Sequence, residues 1–431
     1  MLSGREAGVL TRTGQSWGSG SAEYSFFSSP LAVLSGRAYT DRTMLTAVLT
    51  DDPGNPLLHA AVTQHPNQTC VVFVSADSGE GYQIVEEQRG DRNDLGLWHR
   101  GDDVILAVAG SCRDTVVVVH AVGPVVMERW IAHANVTAVL LAGLPGQEAG
   151  SSLADVLYGD TNPSGRLPYT IGKTLGDYGA SSQIMYAPNA AVPQQDLFDA
   201  DGGLLPDYRH FDRHNITPRF EFGFGLSYAA FAFGDVAVAA VANATAALPP
   251  ARPDDDQAPP QLNSTLPEPR ALLFPRGWNR IRGFVYPYLD TLPGAFAAAA
   301  SAPENITAAP RSPVAFSALF DVLLHVTATV RNTATRPGMA VAQLYVSFPE
   351  TEGVLFPVQV LRGFEKVGVG AGETVQVAFD LTRRDLSYWD EETENWRLPV
   401  DKQGRWGGYR LRVGGSSRGE GWVEVDRWMA K

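Results

Sequence analysis

Cysteine is nearly absent from this chain: Cys70 and Cys112 are the only two among 431 residues. Two cysteines cannot make the disulfide framework of a small secreted scaffold, and no paired Cys-x-x-Cys or His-Glu-x-x-His spacing is present to hold zinc. Each cysteine lies beside a predicted strand, so pairing in an oxidising compartment stays open. Positive charge is also scarce. With 34 Lys and Arg against 47 Asp and Glu, the net charge is −13. That balance argues against nucleic acid or an anionic membrane as partner and fits neutral ligands. Long apolar runs are missing too: none approaches the roughly 18 residues needed to cross a bilayer. Residues 1–20 show no charged segment followed by an apolar one, so no signal peptide is legible there.

At 431 residues the chain is too long for one ordinary core and implies two or three domains. From Cys70 to about Thr170 the pattern is α/β. The short continuous apolar runs Val71–Val74, Thr115–Val119 and Val136–Leu141 read as parallel strands covered on both faces, and Glu148–Tyr158 reads as an amphipathic helix. Strands alternating with helices predict a doubly wound sheet, whose ligands sit outside the carboxyl ends of the strands. Residues 188–219 are rich in Pro, Asp and Gly and read as a connecting arm. Beyond residue 220 the pattern is all-β. Val326, Ala328 and Val330, then Val375, Val377 and Phe379, then Tyr409, Leu411 and Val413 alternate with polar neighbours, as in a β-sandwich. An Ala- and Pro-rich insertion at about 243–320 interrupts it, and its Phe284, Tyr286 and Tyr288 favour some packing. Phe220–Tyr228 alternates aromatics with glycine, which fits tight packing at a strand entrance better than a binding platform.

The stretch with most chemical promise is Phe73-Val74-Ser75-Ala76-Asp77-Ser78-Gly79-Glu80-Gly81-Tyr82. It places one carboxylate between two glycines just after a predicted strand, with an aromatic ring two residues on. Glycines there let a ligand approach the backbone closely, although a plain turn with a solvated Glu fits the same spacing. Ser19, within Gln15-Ser16-Trp17-Gly18-Ser19-Gly20, is open to the same two readings. Six of the 13 asparagines begin an Asn-x-Ser/Thr sequon, at Asn67, Asn135, Asn215, Asn243, Asn263 and Asn305, an excess that favours a glycosylated protein.

Several segments follow one another in the order found in fungal β-glucosidases of glycoside hydrolase family 3. They are Trp17–Gly20, Ala76–Tyr82, Gly90-Asp91-Arg92, His120–Val125, Gly143–Glu148, Asn162–Pro168, Phe222–Tyr228 and Leu381–Leu386. On these segments the chain resembles the C-terminal part of such an enzyme. The resemblance implies an α/β sandwich domain over residues 1–187, its first strand expected to be missing, then the arm, then a fibronectin type III-like domain over 220–431. It also implies that Glu80 matches the general acid/base, that Ser19 matches a hydroxyl contacting the sugar, and that Tyr82 matches an aromatic on the aglycone side. Substrates would be β-glucosides or oligosaccharides, with no cofactor, in a secreted glycoprotein taking part in cellulose or glucan breakdown. The family's nucleophilic Asp lies in a Ser-Asp-Trp type segment of a barrel domain, and no such segment occurs in this sequence. Residues 34–66 match poorly, and Met1 reads as an internal start. The expectation is therefore little or no turnover by the isolated chain, with a non-catalytic carbohydrate-binding or interaction module as the alternative. Oligomeric state has no sequence signal here.

Overall fold

The three runs expected to be buried strands lie side by side in one parallel sheet, but only the first two are buried: Val136–Leu141 stands last in the sheet order among the described residues, with its side chains half-buried or exposed. The computed structural model describes residues 2–3, 24–78, 84–85, 88–89, 92, 94–179, 205–241, 317–393, 395–400, 406–419 and 423–424. In chain order the first elements are β1 (Leu2–Ser3), α1 (Pro30–Thr40), β2 (Ala47–Val48), α2 (Pro56–Val62) and β3 (Thr69–Ala76). The small hairpin β4 (Ile84–Val85) and β5 (Gln88–Arg89) follows, then α3 (Gly101–Ala109), β6 (Asp114–Ala121), β7 (Val136–Leu141), α4 (Ala149–Tyr158) and α5 (Tyr208–Arg213). The sheet order is β2-β1-β3-β6-β7, with every neighbouring pair parallel.

Alternation along the strands divides the core between two faces. Cys70, Val72 and Val74 of β3, with Val117 and Val119 of β6, pack against Leu58 and Val62 of α2 and Val104, Ile105 and Val108 of α3. Phe73 and Val118 point the other way, onto Leu34 of α1 and Leu153 and Ala154 of α4. Burial on both faces explains why β3 and β6 read as unbroken apolar runs. Cys70 and Cys112 form a disulfide across 42 residues, buried on the α2/α3 face.

Residues 34–66, where the family resemblance is poorest, fold as two helices with local start signals. Ser29 Oγ accepts from Ala32 N ahead of Pro30, and Asn55 Oδ1 accepts from Leu57 N ahead of Pro56. Proline at the first helical position removes a donor that would have no partner anyway. The sheet position that sequence alone leaves without a partner is filled, over two residues, by β1. The start of α1 is set by close approach to α4. Gly150 N donates to Ser28 O at 2.7 Å, and a Cβ on Gly150 would lie 2.4 Å from Ser29 O.

The arm is more structured than its composition suggests, because residues 208–213 fold as α5 with Tyr208 and Phe211 buried. Asp207 starts this helix. Its carboxylate accepts from Thr170 N, from the Thr170 hydroxyl and from Tyr208 N.

The second half is a sandwich of two antiparallel sheets. Its strands are β8 (Phe231–Ala240), β9 (Val322–Asn332), β10 (Gly338–Ser347), β11 (Val360–Val369) and β12 (Thr374–Thr382). After α6 (Arg383–Leu386), β13 (Tyr388–Asp390) and β14 (Asn395–Arg397) come β15 (Arg410–Gly414) and β16 (Val423–Glu424). One sheet runs β11-β10-β15-β16 and the other β12-β9-β8. Most of the insertion, including Phe284, Tyr286 and Tyr288, lies outside the described residues. The chain divides into two compact units, Met1–Ala246 with Leu323–Leu381 and Pro399–Lys431, and Ala247–Val322 with Thr382–Leu398. In the second unit, Thr382 and Asp385 form a capping box at α6, and β13 pairs with β14 so that Trp389 and Trp396 meet edge to face at 5.8 Å.

Within the first unit a polar seam joins the arm to the sandwich. Arg412 is fully buried, lies 4.7 Å from the Tyr345 ring centroid, and donates to Gln359 Oε1 and to the carbonyls of Ser416 and Ser417. Gln359 Nε2 donates to Asp212 Oδ2 of α5 at 2.7 Å, and Gln343 Nε2 donates to Gly223 O at 3.1 Å. The Phe220–Tyr228 segment packs here as expected, with Phe222 4.8 Å from Tyr208 and Phe220 stacked on Phe224.

Two measurements test this packing. Replacing both cysteines by serine is expected to lower unfolding stability by about 4 kcal/mol, the loop-closure entropy of a tie this long, read from urea melts beside the oxidised parent. Gly150→Ala forces α1 away from α4 and is expected to cost about 1–3 kcal/mol in the same assay.

Candidate active site

The carboxyl ends of β3 and β6 form the rim where a doubly wound sheet offers its ligand site. β3 ends at Ala76, so the glycine-flanked Glu80 segment does begin just beyond a central strand. Glu80, Tyr82 and Ser19 themselves lie outside the described residues. What the structure does show is how the chain on either side of residues 79–91 is fixed.

Asp77 is buried, 5% exposed, and its Oδ1 accepts from Ser78 N at 2.8 Å. At the other end Arg92, 9% exposed, donates from Nη1 to Pro124 O at 2.6 Å and from Nη2 to Gly96 O at 3.1 Å. Burial pulls the Arg92 guanidinium below its ordinary pKa, and the charges of Asp94 and Asp77 act the other way. A buried cation with this many carbonyl and carboxylate neighbours stays charged and is held in place. The returning chain is then laid across the strand ends: Trp98 N donates to Ser75 O at 2.9 Å and Val126 N to Leu95 O at 2.8 Å. β6 is tied to β3 at the same level by Val122 N donating to Ala76 O.

Beneath this rim lies His120, 1% exposed on β6 and paired in register with Ser75. Its ring lies nearly parallel to Phe73, with centroids 6.4 Å apart, and neither nitrogen has a hydrogen-bond partner among the described residues. Burial lowers its pKa to about 4, so the imidazole is neutral near pH 7.

Asp77, Arg92 and His120 lie inside the motif segments, yet the sequence pattern gives none of them a part. Charged and imidazole side chains read as surface groups by hydropathy, and only the fold shows that all three are buried at one end of the sheet. Of the glycosylation candidates, Asn67 and Asn215 are exposed, whereas Asn135 is half-buried and donates from Nδ2 to Ala109 O at 2.7 Å. Asn243, Asn263 and Asn305 lie outside the described residues. Among the described residues no cluster of three or more His, Cys, Asp or Glu could hold a metal ion.

Residues 1–228 match the Glycosyl hydrolase family 3 C-terminal domain, more than half of the chain. The chain belongs to glycosyl hydrolase family 3. Residues 340–417 match the Fibronectin type III-like domain, in agreement with the sandwich. Among similar proteins, a probable beta-glucosidase E of Aspergillus clavatus is 45% identical over 421 residues, covering 93% of this chain and 38% of that protein. A probable beta-glucosidase F of Aspergillus oryzae is 40% identical over 414 residues, with 93% and 46% covered. Among solved structures, a Chaetomium thermophilum beta-glucosidase superposes with a TM-score of 0.77 at 33% identity, covering 99% of this chain and 53% of that one. The chain thus spans 38–46% of the length of these two curated relatives.

The buried His120 generates a pH prediction. Its ordinary pKa is about 6.5, so the unfolded state takes up a proton that the folded state refuses until about pH 4. Stability from this group is present above pH 6.5 and lost as pH falls towards 4, by about 3 kcal/mol in all. His120→Leu is expected to flatten that acid limb in melting curves taken from pH 7 to pH 4.

Proposed function

We propose that this chain is the part of a retaining β-glucosidase that carries the general acid/base, Glu80. The observation that carries this reading is the sequence likeness over 93% of the chain to proteins named as probable beta-glucosidases. The anchored segment supports it, because an acid/base carboxyl must be held at one position relative to the scissile bond, and Asp77 and Arg92 fix the chain on both sides.

In such an enzyme Glu80 protonates the leaving glycosidic oxygen while a second carboxylate, about 5 Å away, attacks the anomeric carbon. Glu80 then takes a proton from the water that releases the sugar. Ser19 would contact the bound glucosyl unit and Tyr82 the leaving group. The 431 residues contain no Ser-Asp-Trp segment to supply the second carboxylate, so the chain by itself is expected not to turn over. That same feature favours the second reading, a non-catalytic carbohydrate-binding module. Substrates in the first reading are terminal β-D-glucosyl residues of cellobiose or glucans. The sequons and the Cys70–Cys112 disulfide support a secreted glycoprotein, since both belong to an oxidising, glycosylating route.

The test joins this chain to the barrel portion of a homologous β-glucosidase and assays aryl β-glucosides. Glu80→Gln is expected to slow a substrate with a poor leaving group by about 10²–10⁴-fold, and one with a dinitrophenyl leaving group far less, because an activated leaving group needs no proton. Turnover by the unjoined 431-residue chain, abolished by Glu80→Gln, would show that a nucleophile is present within it and overturn the assignment of roles. Binding of glucose with no turnover by the joined protein would favour the module.

A further inference from the structure

A cleft of about 680 Å³ opens in the β-sandwich half of the chain. It is built by residues 348–358, which join β10 to β11, by Arg410 at the start of β15, and by Arg213 at the end of α5. The walls are preformed. Val354 N donates to Thr351 O across a tight turn in which Gly353 takes a φ of +76°, a conformation that glycine accepts without strain. Phe348 is held by stacking on Phe356, with centroids 4.8 Å apart, by an edge contact with Tyr409 at 5.5 Å, and by the Arg362 guanidinium 5.6 Å from its ring.

Two kinds of surface meet in this cleft. Val354, Leu355, Phe356 and Pro357 supply an apolar lining, while Arg213 and Arg410 face it together with Glu350 and Glu352. Arg410 Nη2 donates to Ser347 Oγ at 3.2 Å, and Arg213, Glu350 and Glu352 are exposed and form no ion pair among the described residues. An anion would meet two carboxylates here and a cation two guanidinium groups. A purely apolar ligand would desolvate charged groups and return no hydrogen bonds. A sugar fits both surfaces: its C–H face packs on the apolar lining, while each hydroxyl can accept from an arginine and donate to a carboxylate. The volume is in the usual range for small-ligand pockets, about 300–1,000 Å³.

We infer that this cleft binds an uncharged oligosaccharide. The choice of a β-linked gluco-oligosaccharide as its ligand rests on the β-glucosidase reading above. The cleft would then give the sandwich a direct hold on the polymer or oligomer whose end is being hydrolysed.

Calorimetric titration of the 431-residue chain with cellotetraose tests this. The parent is expected to bind, and the double variant Arg213→Ala/Glu352→Ala to bind at least tenfold more weakly with an unchanged melting curve, since both side chains are exposed. If the double variant melts early, Glu350→Lys, which places a third cation at the cleft, is the substitute and is expected to show the same weakening. Absence of binding by the parent, or equal binding by the parent and the cleft variants, overturns the inference. Hydrolysis by the joined enzyme is read separately. Glu80-dependent turnover without cleft binding sinks the cleft alone, and cleft binding with no dependence of turnover on Glu80 supports the cleft while the catalytic assignment falls.

Discussion

Eight consecutive residues of β3 pair in register with eight of β6, and both faces of that pair are covered by helices. The rest of the α/β half depends on this constraint. A slip of one residue would send Phe73 and Val118 to the face now occupied by Val72, Val74 and Val117, where the space between α2, α3 and the sheet is already filled. Register therefore fixes the level at which β3 and β6 end, and with it the height of Asp77, of the Ala76–Val122 hydrogen bond and of the turn that receives Arg92. A carboxyl three residues beyond Asp77 inherits a fixed point of departure from the packing of valines on the strands below it.

The seam to the sandwich follows a different principle. It is built from Arg412, Gln343, Gln359 and Asp212, each with a partner distant in the chain: Arg412 with Gln359, Gln359 with Asp212, and Gln343 with Gly223. Burial pushes the Asp212 carboxyl above its ordinary pKa, against the pull of its hydrogen bond to Gln359 and the charge of Arg418. Buried polar groups of this kind add little net stability, but they penalise any arrangement in which one partner is lost. The apolar core of each half makes it fold, and the seam selects how α5 and the Phe220–Tyr228 segment are seated on the sandwich.

Much of this was legible in the sequence where periodicity runs long. The continuous runs in β3, β6 and β7 and the alternation in β9, β12 and β15 exceed the noise of single residues, and Leu153, Val156 and Leu157 mark one face of α4. β1 and β2, two residues each, are too short to show any period: β1 pairs with the edge of β3, and β2 pairs in turn with β1. α5 hides in a Pro- and Asp-rich stretch because six residues make less than two turns, and its stability comes from Tyr208 and Phe211 packing and from the Asp207 cap. At the site, the glycine pattern pointed to Glu80, but the burial of Asp77, Arg92 and His120 is a property of the assembled rim. No local rule distinguishes a buried guanidinium from a solvated one, since its partners, the carbonyls of Gly96 and Pro124, carry no side-chain signature.

The disulfide encloses residues 71–111, a stretch that includes Asp77, Glu80, Arg92 and α3. A protease that cuts one peptide bond between Asp77 and Ser111 leaves two polypeptides joined by the bond between Cys70 and Cys112. One fragment ends within this stretch and the other begins there, yet each retains one strand of the β3–β6 pair. Such a nicked molecule would migrate as a single species without reductant and as two with it. Cleavage beside the candidate acid/base would therefore sever the backbone at the rim without releasing half of the sheet.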